Sequence, residues 1–474
     1  MAILFDKDPL TGLTQYYDYD PLKDEHLIHT VQDPTALIEQ LKQVQLAIHD
    51  LIQKEQYDVA MPIINEVLME YPNDAATLNF AGYIWLMGDK PALAYQMFRR
   101  ALQESPGNKA LWTSLGRACH EMDMLEDALK YFLKSAELDP SYAQAYSNAS
   151  ATLVQMSQWK DGEDTCNMAL DCDPNDLNAK LNLSHCYLAQ GRWKEGWEQW
   201  GKSLGGKFRK EYVYYDETRW EGQKDKNIVI YGEQGLGDEI FYANCINNAI
   251  DISKKVYIDC DPRLEGLFRR SFPSAEVYGT RRDEHPSWIS DATIDHRCAI
   301  GGLPEFFWLD SKEFNREPYL KADPDRRTMW RSLFDSWGKK VIGITTHGGR
   351  KMTNQKGREL IQEDLQPLLD KDYIFVSLDY NPEKRLDGVK YFDFATMSND
   401  YDDTAGLIAE LDAVVGVNTT ALHCSSALGV KTICLVPKWH QWRYAHPSMP
   451  FYRSMSLKYQ DDKSWREVIE SINI

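Results

Sequence analysis

Prolines recur every 34 residues in the first half of the chain, each one after an apolar helical stretch. They stand at Pro72, Pro106, Pro140 and Pro174. Aligned on these prolines, one column holds small residues, and the column four residues later holds mostly bulky ones. The small column is Ala60, Ala94, Ala128, Gly162 and Gly196, and the second is Ile64, Phe98, Phe132, Cys166 and Trp200. Antiparallel helices cross closely where a side chain is small, and a bulky residue one turn later fills the adjoining groove. The period therefore predicts repeated helix pairs stacked into an α-solenoid.

A further column of small residues comprises Gly82, Gly116, Ser150 and Ser184. With it, the pattern resembles the tetratricopeptide repeat family, over repeats at about 41–74, 75–108, 109–142, 143–176 and 177–208. Trp112, Leu115, Gly116, Ala128, Phe132 and Pro140 carry the resemblance most fully. Core packing explains nearly all of these residues. Such an array can bind a peptide, orient a substrate for an attached enzyme or form a homo-oligomer, and the sequence does not choose among these roles.

Charge and composition exclude several classes of protein. The chain has 53 lysines and arginines against 72 aspartates and glutamates, a formal net charge of −19, which disfavours nucleic acid as a partner. No apolar run approaches the roughly 20 residues that span a bilayer, and the first residues lack a signal-peptide pattern, so we expect a cytoplasmic protein. The nine cysteines form no C-x-x-C pair, which argues for neither zinc nor disulfides.

An acidic leader, residues 1–40, precedes the repeats. It contains eight acidic and two basic residues, with Tyr16, Tyr17 and Tyr19 among the aspartates. A poorly ordered solvated segment, a docking arm and a cover for the first repeat all remain open.

The sequence period changes after Trp200, where glycines interrupt the chain at Gly201, Gly205 and Gly206. From Lys226 on, short runs rich in Val and Ile alternate with helical segments, which predicts parallel strands of an α/β fold. The predicted strands are 227–231, 255–259, 340–345, 373–378, 413–417 and 432–436. We expect the helical repeats to cover 41–208 and the α/β part to divide near residue 325 into two similar halves, 209–325 and 326–474.

The first of three loops that follow predicted strands runs from Gly232 to Asp238, as Gly-Glu-Gln-Gly-Leu-Gly-Asp. Open α/β sheets bind ligands at the carboxyl ends of their strands. Gly235 and Gly237 permit a close approach of the backbone to a ligand, and Asp238 stands where the next helix begins. An ordinary strand-to-helix turn, with Asp238 as its N-cap, is the alternative interpretation.

The second and third loops have the residue types that bind phosphate. Thr345, Thr346, Lys351 and Arg358 supply hydroxyls and cations that suit a diphosphate. In the third loop, Asn418, Thr419 and Thr420 stand at a predicted helix N-terminus, which attracts anions. His423, one turn further on, is either a ligand of that site or a structural histidine.

An aromatic segment follows the strand predicted at 432–436. We expect Trp439, Trp442 and Arg443 to form a rim of the cleft, which either stacks on a base or sugar or simply closes the cleft.

Residues 218–470 resemble the transferase domain of bacterial tetratricopeptide-repeat glycosyltransferases, which is related to the lipopolysaccharide heptosyltransferases. The matching stretches are 232–238, 404–412, 419–429 and 439–443, together with 191–197 at the joint to the repeats. The resemblance implies a GT-B architecture, a double Rossmann fold in which 209–325 faces the acceptor and 326–474 the donor. It also implies transfer of a sugar from a nucleotide-diphosphate donor, without a metal or other cofactor, to a protein or glycan acceptor recruited by the repeats.

Roles for individual residues follow from the same resemblance. Asp238 corresponds to the general base that deprotonates the acceptor hydroxyl for attack with inversion. Thr345, Thr346 and Lys351 correspond to the segment that faces the donor diphosphate. The second phosphate-binding turn corresponds to Thr419, Thr420 and His423.

Three positions depart from the family pattern. Asn418 replaces a common aspartate, Asn244 replaces an arginine, and Arg358-Glu359 replaces an Arg-Ser pair. Two alternatives to the transferase therefore stay open. One is a peptide-binding scaffold with an inactive transferase-like domain, and the other is a nucleotide-sugar epimerase or hydrolase on the same fold. The donor's base and sugar and the acceptor are not determined by the sequence.

Overall fold

The computed structural model describes residues 34–214, 217–281, 283, 286–348, 356–380 and 385–474. Most of the acidic leader, with its three tyrosines, and Lys351 lie outside the described residues. Internal contacts divide the chain into two compact units, Met1–Thr152 and Leu153–Ile474. This boundary falls within the repeat array, so that the last repeats belong to the same unit as the sheets.

Helices arranged in consecutive pairs form the first part of the chain, which confirms the predicted helical repeats. They are α1 (Pro34–Gln53), α2 (Tyr57–Glu70), α3 (Ala75–Met87), α4 (Pro91–Glu104), α5 (Lys109–Glu121), α6 (Leu125–Leu138), α7 (Ala143–Gln155), α8 (Trp159–Cys172), α9 (Leu177–Ala189) and α10 (Trp193–Lys202). Each recurring proline stands two residues after the end of α2, α4, α6 or α8, because proline cannot continue a helix. None of the described helices is long and apolar enough to cross a membrane.

The 34-residue period also appears in the backbone. One residue in the turn within each helix pair has a positive φ, at Glu55, Asp89, Asp123, Ser157 and Gly191. Side chains of Asp74, Asn108 and Asp176 accept hydrogen bonds from backbone amides at the starts of α3, α5 and α9. The turns are therefore set locally by each repeat.

Glycine columns allow the helices of one repeat to pack closely. A Cβ atom at Gly82 would lie 2.4 Å from the Phe98 ring, and one at Gly116 would lie 2.6 Å from the Phe132 ring. The close approach of helices that the column of Gly82 and Gly116 predicts is therefore observed in the first unit.

In the second unit, α10 joins the repeats to the sheets through tryptophans. Trp200 donates from Nε1 to the carbonyl of Gly301 at 2.6 Å. Trp197 lies edge-on against Trp442, with ring centroids 5.4 Å apart. The last repeat and the sheets therefore share one hydrophobic core.

Two parallel sheets form the rest of the second unit. The strands are β1 (Thr218–Arg219), β2 (Asn227–Tyr231), β3 (Lys255–Asp259), β4 (Glu276–Tyr278), β5 (His296–Ala299), β6 (Val341–Thr345), β7 (Ile374–Ser377), β8 (Val389–Lys390), β9 (Ala413–Val417), β10 (Thr432–Val436) and β11 (Met455–Tyr459). The first sheet has the order β1-β5-β2-β3-β4, and the second has the order β11-β10-β9-β6-β7-β8. Every pairing is parallel.

Most of these strands are followed by a helix, as expected for parallel pairing, and the last of the helices follows β11. The helices are α11 (Leu236–Tyr242), α12 (Ile246–Ile252), α13 (Glu265–Ser271), α14 (Pro304–Phe307), α15 (Pro324–Asp335), α16 (Gln362–Leu369), α17 (Asp393–Thr396), α18 (Tyr401–Ile408), α19 (Thr420–Ala427) and α20 (Trp465–Glu470). The six predicted strands are present, and β2, β3, β9 and β10 have the predicted bounds. β5 contains His296 and Arg297 and β11 is an edge strand, so neither shows the apolar run that marks a buried strand.

Candidate functional site

The three loops singled out in the sequence lie where the strand order of each sheet reverses. In the first sheet the order runs outward from β2, to β3 on one side and to β5 on the other, and in the second it runs from β6 to β7 and to β9. Such reversals leave a crevice at the carboxyl ends of the strands, where open α/β sheets bind ligands. The loops after β2, β6 and β9 therefore occupy the expected place for a site.

Close backbone contacts bring these loops together. A Cβ atom at Gly237 would lie 3.0 Å from Oγ1 of Thr420, and one at Gly348 would lie 2.5 Å from Cγ2 of Thr419. We call the segments 237–238, 346–348 and 418–420 the loop cluster. It places Asp238 beside the N-terminus of α19.

Asp238 uses both carboxylate oxygens in contacts within the protein. Oδ2 accepts from the backbone amide of Gly235 at 3.2 Å, and Oδ1 accepts from Nη2 of Arg443 at 2.7 Å. Its side chain is 28% exposed. The N-cap of α11 is Gly235, so the interpretation of Asp238 as the N-cap is wrong; Asp238 stands at the third helical position, from which its side chain reaches back to the amide of Gly235. The exposed part of the carboxylate remains open to a ligand.

Arg443 is enclosed by aromatic rings beneath Asp238. The residue is 7% exposed, and its guanidinium carbon lies 4.4 Å from the centroid of the Phe241 ring. Nη2 also donates to the hydroxyl of Tyr242 at 3.0 Å. A buried cation of this kind needs a nearby anion, which Asp238 provides.

The predicted rim residues differ in exposure. Trp442 is 4% exposed and packs edge-on against Trp197 and Phe451, so its side chain belongs to the hydrophobic core and does not face the crevice. Trp439 is half-buried. Trp442 is buried because tryptophans of α10 pack on it. The sequence of the segment 439–443 alone does not indicate this contact.

His423 lies inside the core below α19. Its Nδ1 is 3.2 Å from the hydroxyl of Tyr452, and its Nε2 is 3.1 Å from the hydroxyl of Tyr444. Burial, together with the charge of Arg443, lowers the pKa of His423 to about 3. The structural interpretation of this histidine therefore fits better than direct contact with phosphate.

Hydroxyls of the second loop are held by neighbouring strands. Thr345 donates from Oγ1 to the carbonyl of Val417 at 3.1 Å, and Thr346 donates from Oγ1 to Asp379 at 2.6 Å. Arg358 is buried and donates from Nη1 to the carbonyl of Asn418 at 3.0 Å. These residues fix the loop cluster in place, whereas Lys351 lies outside the described residues.

The third loop leaves two buried polar atoms without a hydrogen-bond partner among the described residues. They are Oδ1 of Asn418 and Oγ1 of Thr419. Thr419 precedes α19 at the N-cap position, yet its side chain makes no capping hydrogen bond. A ligand at this N-terminus would therefore meet polar groups that the protein does not satisfy.

Buried ion pairs support the first loop from below. Glu233, the second residue of the loop, pairs with Arg209 at 3.0 Å, and both side chains are almost fully buried. Glu239, next to Asp238, pairs with Arg281. These acids shape the loop and are not exposed to a ligand.

Sequence reasoning missed two residues of the crevice. His347 belongs to the loop cluster, and Asp379, just after β7, lies 3.6 Å from its ring. A polar residue after a buried strand next to β6 is the signal that points to Asp379. The described residues contain no cluster of three or more His, Cys, Asp or Glu side chains that could hold a metal ion.

Comparisons with known proteins support the identification of the helix pairs as tetratricopeptide repeats. The tetratricopeptide repeat family matches residues 86–153. Protein FlbA of Caulobacter vibrioides (strain ATCC 19089 / CIP 103742 / CB 15) is 24% identical over 393 residues, which cover 76% of this chain and 66% of FlbA. The Homo sapiens protein O-mannosyl-transferase TMTC3 is 32% identical over 75 residues, 16% of this chain and 8% of that protein.

The chain spans less than two thirds of the length of both of these relatives. Among solved structures, the crystal structure of MamA has a TM-score of 0.30 at 19% identity, covering 32% of this chain and 90% of that chain. So low a TM-score supports no further inference. The helix pairs and the family match together show tetratricopeptide repeats followed by a region of parallel sheets.

Proposed function

We propose that this chain is a glycosyltransferase that moves a sugar from a nucleotide-diphosphate donor to an acceptor recruited by the repeats. The observation that carries the proposal is the contact of Gly237 with Thr420, which sets the carboxylate of Asp238 beside the N-terminus of α19. A base and an anion-binding helix terminus at this spacing suit attack on a sugar whose leaving group is a diphosphate.

The proposed mechanism is a single displacement. Asp238 accepts the proton of the acceptor hydroxyl, and the acceptor oxygen forms a bond to the anomeric carbon with inversion. The bond from that carbon to the diphosphate breaks, and its electron pair leaves with the diphosphate. Backbone amides at the start of α19 and the hydroxyls of Thr419 and Thr420 stabilise the departing charge.

The strand orders support the proposed double Rossmann architecture of the GT-B type. The second sheet follows the 3-2-1-4-5-6 order when its strands are counted from β6, and the first sheet follows 3-2-1-4 when counted from β2. We propose that 209–325 binds the acceptor and 326–474 the donor, and that the enzyme works in the cytoplasm without a metal. The short match to an O-mannosyl-transferase covers too little of either chain to carry this proposal.

The proposed acceptor is a protein or a glycan precursor. Tetratricopeptide repeats present extended surfaces to protein partners. The array continues directly into the sheets through α10, so an acceptor held by the last repeats is tethered close to the transferase.

A thermal-shift screen against UDP, GDP, ADP, CMP and dTDP, alone and as sugar conjugates, tests the proposal. A ligand that binds only the folded protein raises the melting temperature. We expect nucleotides with one particular nucleobase to raise the melting temperature. Thr420→Asp should abolish this shift, because it places a negative charge at the start of α19. The absence of any shift would contradict the proposal.

A second candidate is a peptide-binding scaffold with an inactive transferase-like domain. The engagement of both Asp238 oxygens by Gly235 and Arg443 favours it, as does Asn418 where related enzymes have an aspartate. This candidate predicts a protein partner that is lost on deletion of residues 41–208 and no response to nucleotides.

A further inference from the structure

His347 is a buried histidine of the loop cluster whose two ring nitrogens have different surroundings. The residue is 8% exposed and stands two residues after the end of β6. Its backbone forms an antiparallel bridge with Glu359, and the hydrogen bond from the amide of Leu360 to the carbonyl of Thr346 extends this contact. The backbone at His347 is therefore firmly held.

The Nδ1 side of the ring is held by Thr346 and Asp379. The Thr346 hydroxyl donates to Oδ2 of Asp379 at 2.6 Å, and its oxygen is 3.0 Å from Nδ1 of His347. While the Thr346 hydroxyl proton lies in the bond to an ionised Asp379, Nδ1 of His347 is the donor in its contact with the threonine oxygen. The backbone amide of Thr346 also donates to both oxygens of Asp379, at 3.1 Å each, which keeps the carboxylate in place.

The Nε2 side of the ring has no hydrogen-bond partner among the described residues. The next residue, Gly348, packs directly on Thr419, whose Oγ1 is also unsatisfied, as is Oδ1 of the adjoining Asn418. Leaving a buried polar group unpaired costs about 1–3 kcal/mol. Unpaired groups gathered on two touching loops indicate that a bound ligand completes their hydrogen bonds. The Thr419 hydroxyl and Nε2 of His347 can donate to an anion, whereas Oδ1 of Asn418 can only accept from a hydroxyl or amine of the ligand.

We propose that His347 binds the sugar donor and that its Nε2–H contacts a phosphate oxygen of the nucleotide diphosphate. In this proposal, which rests on the proposed function, Asp379 is a positioning residue that acts on His347 through Thr346. The ring then binds as an imidazolium, since Nδ1–H already faces Thr346 and Nε2 must carry a second proton, taken from solvent. Its charge offsets the charge that the diphosphate gains when the sugar bond breaks.

Other charged groups surround this histidine. Asp379 and Tyr380 follow β7, and the Tyr380 ring centroid lies 6.3 Å from that of His347. Glu359 pairs with its backbone, and Arg358 donates to Asn418. Oδ2 of Asp379 lies 3.6 Å from Nδ1 of His347.

Two substitutions distinguish the roles of the two ring nitrogens of His347. In His347→Asn the amide nitrogen stands close to the position of Nδ1, whereas in His347→Gln it reaches the position of Nε2. Isothermal titration of the full chain measures affinity for UDP, GDP, ADP and dTDP, and for the matching nucleosides. We expect His347→Asn to weaken diphosphate binding about tenfold or more and His347→Gln to weaken it less. Nucleoside affinity should change by less than about twofold.

Proton linkage provides a second measurement. Titration of the unmodified chain in buffers of different ionisation enthalpy should reveal proton uptake on diphosphate binding, and His347→Asn should remove it. Asp379→Asn should weaken diphosphate binding in the same direction as His347→Asn. Circular dichroism checks that each variant is folded.

The outcomes distinguish this inference from the proposed function. Failure of the unmodified chain to bind any diphosphate overturns the proposed function and the role of His347 with it. Diphosphate binding that both His347 variants retain within about twofold overturns the role of His347 alone. Equal losses for diphosphate and nucleoside would assign His347 a purely structural role and would also overturn the inference.

Discussion

The carboxylate of Asp238 and the guanidinium of Arg443 lie 2.7 Å apart, although 205 residues separate them in the chain. The pair joins the loop after β2 to the segment after β10. It positions the proposed base and at the same time neutralises a buried cation. The proposed function and the stability of the fold therefore depend on the same contact.

Asp238→Asn should lower the free energy of unfolding by about 1–3 kcal/mol, because Arg443 then stays buried without a counter-charge. Arg443→Met should remove most of that penalty, so the double variant should be more stable than the sum of the single changes predicts. Urea denaturation of the four proteins measures this coupling. If the two single changes in unfolding free energy add up to that of the double variant within about 0.5 kcal/mol, the pair has no stabilising interaction energy.

Gly237→Ala should weaken nucleotide-diphosphate binding about tenfold, because the new Cβ would lie 3.0 Å from Oγ1 of Thr420 and push the two loops apart. Gly302→Ala is the matched control, since its Cβ would meet only Sγ of Cys298 at 3.5 Å. Calorimetric titration compares the two variants. Unchanged binding in Gly237→Ala would mean that the contact with α19 does not shape the site.

Gly116→Ala should destabilise the first unit by about 1–3 kcal/mol, because its Cβ would lie 2.6 Å from the Phe132 ring. Phe132→Leu in the same chain should restore part of the loss by making room. Gly107→Ala, whose Cβ would have open space around it, serves as the control. Hydrogen exchange of α5 and α6 provides the measurement, and protection equal to that of the unmodified chain would refute the packing argument.

Stability should fall as the pH falls below about 6.5. Burial lowers the pKa of His423 to about 3, so between these values the unfolded chain binds a proton that the folded chain does not. For this residue, the free energy of unfolding should fall by about 1.4 kcal/mol for each pH unit. The lowered pKa values of His185, about 3, and His446, about 4, add to this fall in the same direction.

His423→Asn should therefore reduce the difference in unfolding free energy between pH 6.5 and pH 5.0 by about 2 kcal/mol. His49→Asn, at an exposed position on α1, is the matched control for replacing a histidine by asparagine at the surface. Urea denaturation at the two pH values measures both. An identical pH dependence in His423→Asn and the unmodified chain would contradict the contribution of the lowered His423 pKa to stability.

Local patterns predicted the repeats and the central strands because their signals lie within one element. The 34-residue spacing of the prolines fixes the helix pairs, and the apolar runs of β2 and β9 mark buried strands. β2 and β9 belong to different sheets, and the loop after each lies at the carboxyl end of its own sheet. Gly237 and Thr420 were placed at one site only through the further expectation of a cleft between two similar halves.

Features that depend on partners distant in the chain were not predictable. Trp442 is buried because Trp197 of α10 packs on it, and Asp238 is paired because Arg443 is folded beneath its loop. The contact between the His347 ring and Asp379 forms only because β7 pairs with β6. Spacing along the chain carries no signal for such contacts.

Sugar transfer with Asp238 as the base releases nucleoside diphosphate from a nucleotide sugar, and this release can be measured. The assay compares the unmodified chain, Asp238→Asn and Asp402→Asn, with host-cell lysate as the source of acceptor. Asp402 pairs with Arg270 between α13 and α18, so its variant also loses a buried carboxylate charge, outside the loop cluster. We predict that one nucleotide sugar is turned over, that Asp238→Asn slows release at least about a hundredfold and that Asp402→Asn does not. Absence of release from every nucleotide sugar, or equal rates in the unmodified chain and Asp238→Asn, would contradict sugar transfer with Asp238 as the base.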